Sequence, residues 1–142
     1  GNYCFVWSSC FAIYLPNGGG EIMAKLFRDN SKQNNGKQIL LSDLKEARSF
    51  VARTKGLLGT NDLAIGSGLW IHRCNSIHTF FMRYSLDCIF LDKDMNVCKL
   101  VRDVKPGRVV WPIWSADSVI EMKAGSLDQM SIYAGDLLYV GA

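Results

Sequence analysis

The sequence predicts a mainly β domain, α+β by content: a compact jelly-roll-like sandwich or barrel with one amphipathic helix packed on it. Three observations carry this. First, short segments rich in β-branched and aromatic residues follow one another through the second half of the chain: GLWIH, TFFMRY, CIFLD, VCKLV, RVVWPIW, SVIEMK and DLLYV. Each is bounded by Gly, Pro, Asn, Asp or Ser, the pattern of sandwiches and barrels. Second, one stretch in the first half has helical spacing. Third, the chain has 142 residues, 49% of them hydrophobic, enough for one domain with its own core.

The chain opens on YCFVWSSCFAIYL, an apolar run at residues 3–15. A span of the bilayer needs about 20 apolar residues, so this run is short for one. No basic residue precedes it, as one would in a secretory signal. A glycine run and Met23 follow. The readings are a non-native extension, a membrane anchor or an added strand, and the first is preferred. Residues 1–38 are accordingly assigned to an N-terminal extension and residues 39–142 to the domain. Removing the first 22 residues is expected to leave the fold intact. Residues 28–37, RDNSKQNNGK, read as a loop or a turn between short strands.

The helix is placed over residues 43–55. Ser42 and Asp43 are N-cap candidates, and Asp43 with Glu46 fits a capping box. Leu44, Ala47, Phe50 and Val51 recur at helical spacing. Arg48, Arg53 and Lys55 suit the C-terminal end of the dipole, and Gly56 suits the position just past it. Beyond it, CIFLDKDMNVCKLV reads as a hairpin with its tip at residues 93–96. SLDQM fits one helical turn. Gly135-Asp136 makes a tight turn into the last strand. Pro112 lacks an amide hydrogen, so VVWPIW belongs to an edge strand or a loop.

The net charge is +3, with Lys and Arg spread along the chain. That argues against nucleic acid, which needs a clustered basic stripe. Five cysteines, an odd count at irregular spacing, argue against a disulfide framework. Reduced thiols and a cytoplasmic location follow; the alternative is an exported or membrane-anchored chain, through residues 3–15.

Four segments resemble one family in order: RTKGLLG, MRYSLDCIFLD, VIEMKAG and IYAGDLL. They are similar to DUF192, also called UPF0127, over about residues 39–140. The pattern falls on Arg53, Gly56, Met82, Leu86, Asp87, Phe90, Asp92, Glu121, Gly125, Gly135 and Asp136. Many members have Trp-Met-Lys-Asn-Thr where this chain has Phe81-Met82-Arg83-Tyr84-Ser85, so any role of the Asn-Thr pair is in doubt here. The resemblance implies a compact, mostly β, jelly-roll-like fold and no established activity.

Candidate chemistry centres on CNSIHTFFMRYSLDCIFLD, residues 74–92. Cys74 and His78 would lie about 13 Å apart on a continuous strand. A nucleophile and its base need roughly 2.6–3.2 Å, so only a turn at Asn75-Ser76 unites them. The simpler reading makes Cys74 a buried hydrophobe and His78 an orienting group. His72, Cys74 and His78 form H-x-C-x₃-H, a spacing that matches no standard zinc module, and no metal or cofactor is assigned. Asp87, Glu121 and Asp136 sit in apolar company, where a lone carboxylate is costly. Arg53 is their expected partner in a clamp from helix to sheet; general acid/base work is the alternative. Trp111 and Trp114 flank Pro112 as core residues or as a stacking platform.

The favoured function is non-catalytic binding of a small molecule or a protein partner. Its candidate residues are Arg53, His78, Thr79, Met82, Asp87, Trp111, Trp114, Glu121 and Asp136. The alternative is a small hydrolase using Cys74 or Asp87 with His78.

Overall fold

A computed structural model describes residues 24–29, 36–47, 57 and 60–141. It is mainly β, with strands β1 Ala24–Asp29, β2 Lys37–Ala47, β3 Ser67–His72, β4 Ile77–His78, β5 Leu86–Leu91, β6 Val97–Val104, β7 Val109–Val110, β8 Ser118–Lys123 and β9 Leu138–Gly141. A 3₁₀ turn, Leu127–Gln129, forms where SLDQM predicts one. Among the described residues no helix is long and apolar enough to cross a membrane.

Seven strands form one sheet in the order β6-β5-β8-β3-β2-β1-β9, and β4 pairs with β7 in a second, small sheet. All neighbours are antiparallel except β2 and β3. That parallel pair departs from an all-antiparallel jelly roll. The large sheet curls until its edges approach at a single bridge, Asn96↔Leu137. Backbone bonds from Val97 N to Asp136 O (2.8 Å) and from Leu138 N to Met95 O (3.0 Å) flank the bridge. This is a mixed, curled sheet and not a closed barrel, because a barrel needs a continuous ladder at the seam.

Among the described residues the first strand of the sheet, β1, spans Ala24–Asp29, within the segment assigned to the extension. β1 lies between β2 and β9, with Leu26 fully buried. The apolar run at residues 3–15 lies outside the described residues.

The two faces of the sheet carry two cores. Leu26, Leu41, Leu44, Ile89, Leu91, Ile120, Met122 and Leu138 belong to the first. Ile71, Cys74, Ile77, Met82, Leu86, Cys88, Phe90 and Val119 belong to the second. Strand alternation explains the split: in β5, residues 86, 88 and 90 face one way and residues 89 and 91 the other. Central strands buried on both faces read as continuous apolar runs, as LDCIFL does. In β3, Gly68 leaves the room its neighbours need. A Cβ there would lie 2.8 Å from Leu41 Cδ1 and 3.3 Å from Glu121 O.

The expected helix at residues 43–55 is corrected at its start, where residues 43–47 are the end of β2. The remainder, including Arg53, lies outside the described residues. The register explains the misreading. Ala24 pairs with Leu44 and Leu26 with Leu41, so β2 carries one extra residue, a bulge. The amides of Ser42 and Asp43 both donate to Gly66 O, at 3.0 and 3.2 Å. The bulge brings Leu41 and Leu44, three apart, to one face and so imitates a helical period. The amides of the two supposed cap residues are held by a neighbouring loop.

The β5–β6 hairpin forms as expected. Asp92 Oδ1 accepts the amides of Asp94 and Asn96, each at 2.9 Å, and this fixes the tip. TFFMRY is corrected: beyond His78 the chain turns at residues 80–81 and does not continue as a strand.

Candidate functional site

Asp87 lies on β5 and is 2% exposed. Its Oδ1 accepts the Asp103 amide at 2.8 Å. Its Oδ2 accepts the amides of Gly125 and Leu127 at 3.0 and 2.9 Å. Three backbone donors therefore occupy both oxygens, joining β5 to β6 and to the 3₁₀ turn. Gly125 adopts φ +94°, a conformation that suits glycine and lets the turn present both amides to one carboxylate. The expected partner, Arg53, lies outside the described residues. The carboxylate serves as a joint between elements.

Asp136 also has its own partners. Oδ2 accepts the Tyr133 amide at 2.8 Å and lies 3.5 Å from Arg28 Nη2. Arg28 also donates to Ser131 O. The cation that clamps Asp136 thus comes from β1, a strand that the sequence reading had placed in the extension. Gly135, at φ +93°, makes the expected turn into β9.

Glu121 differs from both. It is 6% exposed at the middle of β8, opposite Cys88 on β5 and Leu69 on β3. Among the described residues its carboxyl has no hydrogen-bond partner. Burial pushes its pKa up to about 7. Burial, with Glu121 and Asp87 nearby, also raises the Cys88 thiol well above its usual range. On the same side, the Tyr84 hydroxyl meets Thr60 Oγ1 at 2.7 Å, and burial raises the phenol as well. Perturbed acids mark functional sites only probabilistically.

Cys74 is 2% exposed within the second core, and its thiol donates to Ser76 O at 3.0 Å. Thr79 is fully buried. Its hydroxyl donates to Lys105 O at 2.6 Å and accepts the Arg108 amide at 2.9 Å, which pins the loop before β7. Met82 fills the second core. His72 lies 3.4 Å from Glu46 and packs on Trp70. Among the described residues no three of His, Cys, Asp and Glu converge as a metal-ligand set.

His78 faces outward from the small sheet. Its ring stacks on Phe80, with centroids 5.2 Å apart, and burial holds the imidazole below its usual range. β4 and β7 pair His78 with Val109 and the buried Ile77 with Val110. Alternation then places Phe80, His78, Val109 and Trp111 on one outer face. Trp111 on that face is 76% exposed, and the turn residues Phe81 and Trp114, beyond β4 and β7, are 86% and 77% exposed. Phe81 sits at φ +65°, which is unusual for an aromatic residue, and its turn is closed by Met82 N donating to Thr79 O at 3.2 Å. The ring itself is exposed. The sequence names His78 and the tryptophans as candidates but not Phe80, Phe81 and Val109, because TFFMRY looks like a buried strand.

A separate cleft of about 180 Å³ lies between β2 and the 3₁₀ turn, lined by Gln38, Ile39, Ile65 and Met130 among others. None of the candidate residues above lines it.

The DUF192 family pattern, described as Uncharacterized ACR, matches residues 30–140. A UPF0127 protein of Thermococcus sibiricus (strain DSM 12597 / MM 739) is 35% identical over 97 residues, 66% of this chain and 62% of that protein. The chain thus spans less than two thirds of that relative's length. A crystal structure of a protein of unknown function from Novosphingobium aromaticivorans DSM 12444 superposes with a TM-score of 0.69 at 18% identity, covering 98% of this chain and 99% of that one. Another, from Sinorhizobium meliloti 1021 and described as a candidate transcription regulator, gives 0.67 at 18% identity, covering 87% and 98%. At such identity the likeness to the two structures is one of fold. The family pattern, spanning most of the chain, carries the conclusion: this chain belongs to the DUF192 family.

Proposed function

We propose that the chain is a non-catalytic binding module for a small molecule or a protein partner, and that it binds through the outer face of the small sheet. One observation carries the reading: Phe81, Trp111 and Trp114, on the two segments that carry β4 and β7, are each more than three-quarters exposed. Contiguous exposed apolar surface marks interaction sites. The hydrolase alternative draws less support, since Asp87 is held by three amides and Cys74 lies in a core cluster. The free thiols of Cys74, Cys88 and Cys98 support a reducing compartment such as the cytoplasm.

A fragment screen by ligand-observed NMR tests the reading. Hits on the parent should vanish with Trp111→Ala/Trp114→Ala. Hits that survive in that variant and vanish with Glu121→Gln would move the site to β8.

A further inference from the structure

The two segments that build the exposed face share a charge pattern. Residues 73–86 and 104–116 contain Arg73, Arg83, Lys105 and Arg108 and no Asp or Glu. All four cations are exposed. In the whole chain 16 basic residues nearly balance 13 acidic ones, so two segments that carry five exposed apolar side chains and four cations but no acid stand apart. In sequence, Asp87, Asp103 and Asp117 flank the two segments. Asp103 holds Lys105 at 2.8 Å, and Asp117 precedes β8. Arg83 donates to Asn61.

The shape narrows the occupant. Phe81, Trp111 and Trp114 are each more than three-quarters exposed. A rigid protein partner would need a pocket for each ring. A lipid headgroup layer reshapes around them, and Trp is enriched at that depth. Cations beside inserted aromatics draw the surface to anionic lipid. The β4–β7 pairing and the Thr79 bonds to Lys105 and Arg108 hold the two segments together as one platform.

We propose that the outer face of the small sheet docks on an anionic lipid surface, with Phe81, Trp111 and Trp114 among the headgroups and Arg73, Arg83, Lys105 and Arg108 against the lipid phosphates. The inference rests on the reading of this face as the binding surface. It names a partner of a different kind from a small molecule or a protein.

Co-sedimentation of the full chain with vesicles tests it, using phosphatidylcholine alone and phosphatidylcholine mixed with phosphatidylserine. The chain should bind the mixed vesicles more tightly, and added salt should weaken the binding. Arg73→Ala and Arg108→Ala should each lower the affinity about fivefold. Trp111→Ala/Trp114→Ala should reduce binding to mixed vesicles without changing the melting temperature, since both rings are exposed. Equal binding by the tryptophan variant, as an anchoring role for residues 3–15 would give, overturns the proposal. So does failure to bind the mixed vesicles. Polyglutamate and a single-stranded oligonucleotide run in parallel separate the two levels. If either binds through the tryptophans while vesicles do not, the lipid proposal fails and the binding face stands. If nothing binds and no fragment hit depends on the tryptophans, the face itself is wrong.

Discussion

Replacing Asp87 by Ala removes an acceptor from three backbone amides at once. The Leu127 amide is buried, so it loses a hydrogen bond to a charged group worth about 1.5–3 kcal/mol. The amides of Asp103 and Gly125 are only part-buried, and water recovers some of theirs, so each counts for roughly half. The total is about 3–6 kcal/mol, a large share of the roughly 5–15 kcal/mol that holds a domain folded. Asp87→Asn keeps one oxygen and turns its amide group toward a donor, so it should cost about half as much. Urea titration at neutral pH measures both, with stability taken by linear extrapolation. If the Ala variant does not fold, the Asn variant supplies the magnitude. An Ala variant within about 1 kcal/mol of the parent would refute the claim that Asp87 joins β5 to its neighbours.

Other consequences follow from burial and close approach. The Glu121 carboxyl titrates at about 7 in the fold and at its ordinary 4.5 when unfolded. Between those values the folded state holds a proton that the unfolded state has lost. Stability is therefore fullest below pH 4.5 and falls as pH rises to about 7. Glu121→Gln should flatten that decline and, at pH 8, melt above the parent by the equivalent of about 3 kcal/mol; a parent whose stability rises over this interval contradicts the assignment. Gly68→Ala places a methyl against Leu41 and the Glu121 carbonyl and should cost about 1–3 kcal/mol; an unchanged melting temperature would mean that β3 has slack at this position.

The parts legible in the sequence are those in which local chemistry and tertiary structure agree. Alternation and the Asp92–Asn96 tip fix the hairpin, and LDCIFL is a buried central strand on both criteria. The helix misled because a bulge sets Leu41 and Leu44 on one face at a spacing of three. No local signal separates that from a helical turn when Ser42 and Asp43 also look like caps. The partners of the acids were hidden for another reason. Asp87 is satisfied by amides some 16 to 40 residues away, and Asp136 by Arg28 across 108 positions, so only the topology unites them. Exposure was the least legible property. Phe80 and Phe81 have core composition and take a surface turn because Phe81 adopts a positive φ.

The reactivity of Cys74 tests most directly whether this is a binding module or an enzyme. Labelling by iodoacetamide at neutral pH, followed site by site by mass spectrometry, reads it. Thiol alkylation needs an accessible thiolate. Cys74 and Cys88 are 2% and 0% exposed, whereas Cys98 is partly open. The account predicts that, of these three, Cys98 is labelled first. It also predicts that Cys74 reacts no faster than an ordinary free thiol and at the same rate in His78→Ala. Rapid, selective labelling of Cys74 that disappears in His78→Ala would contradict the account and establish the nucleophile pair of a hydrolase.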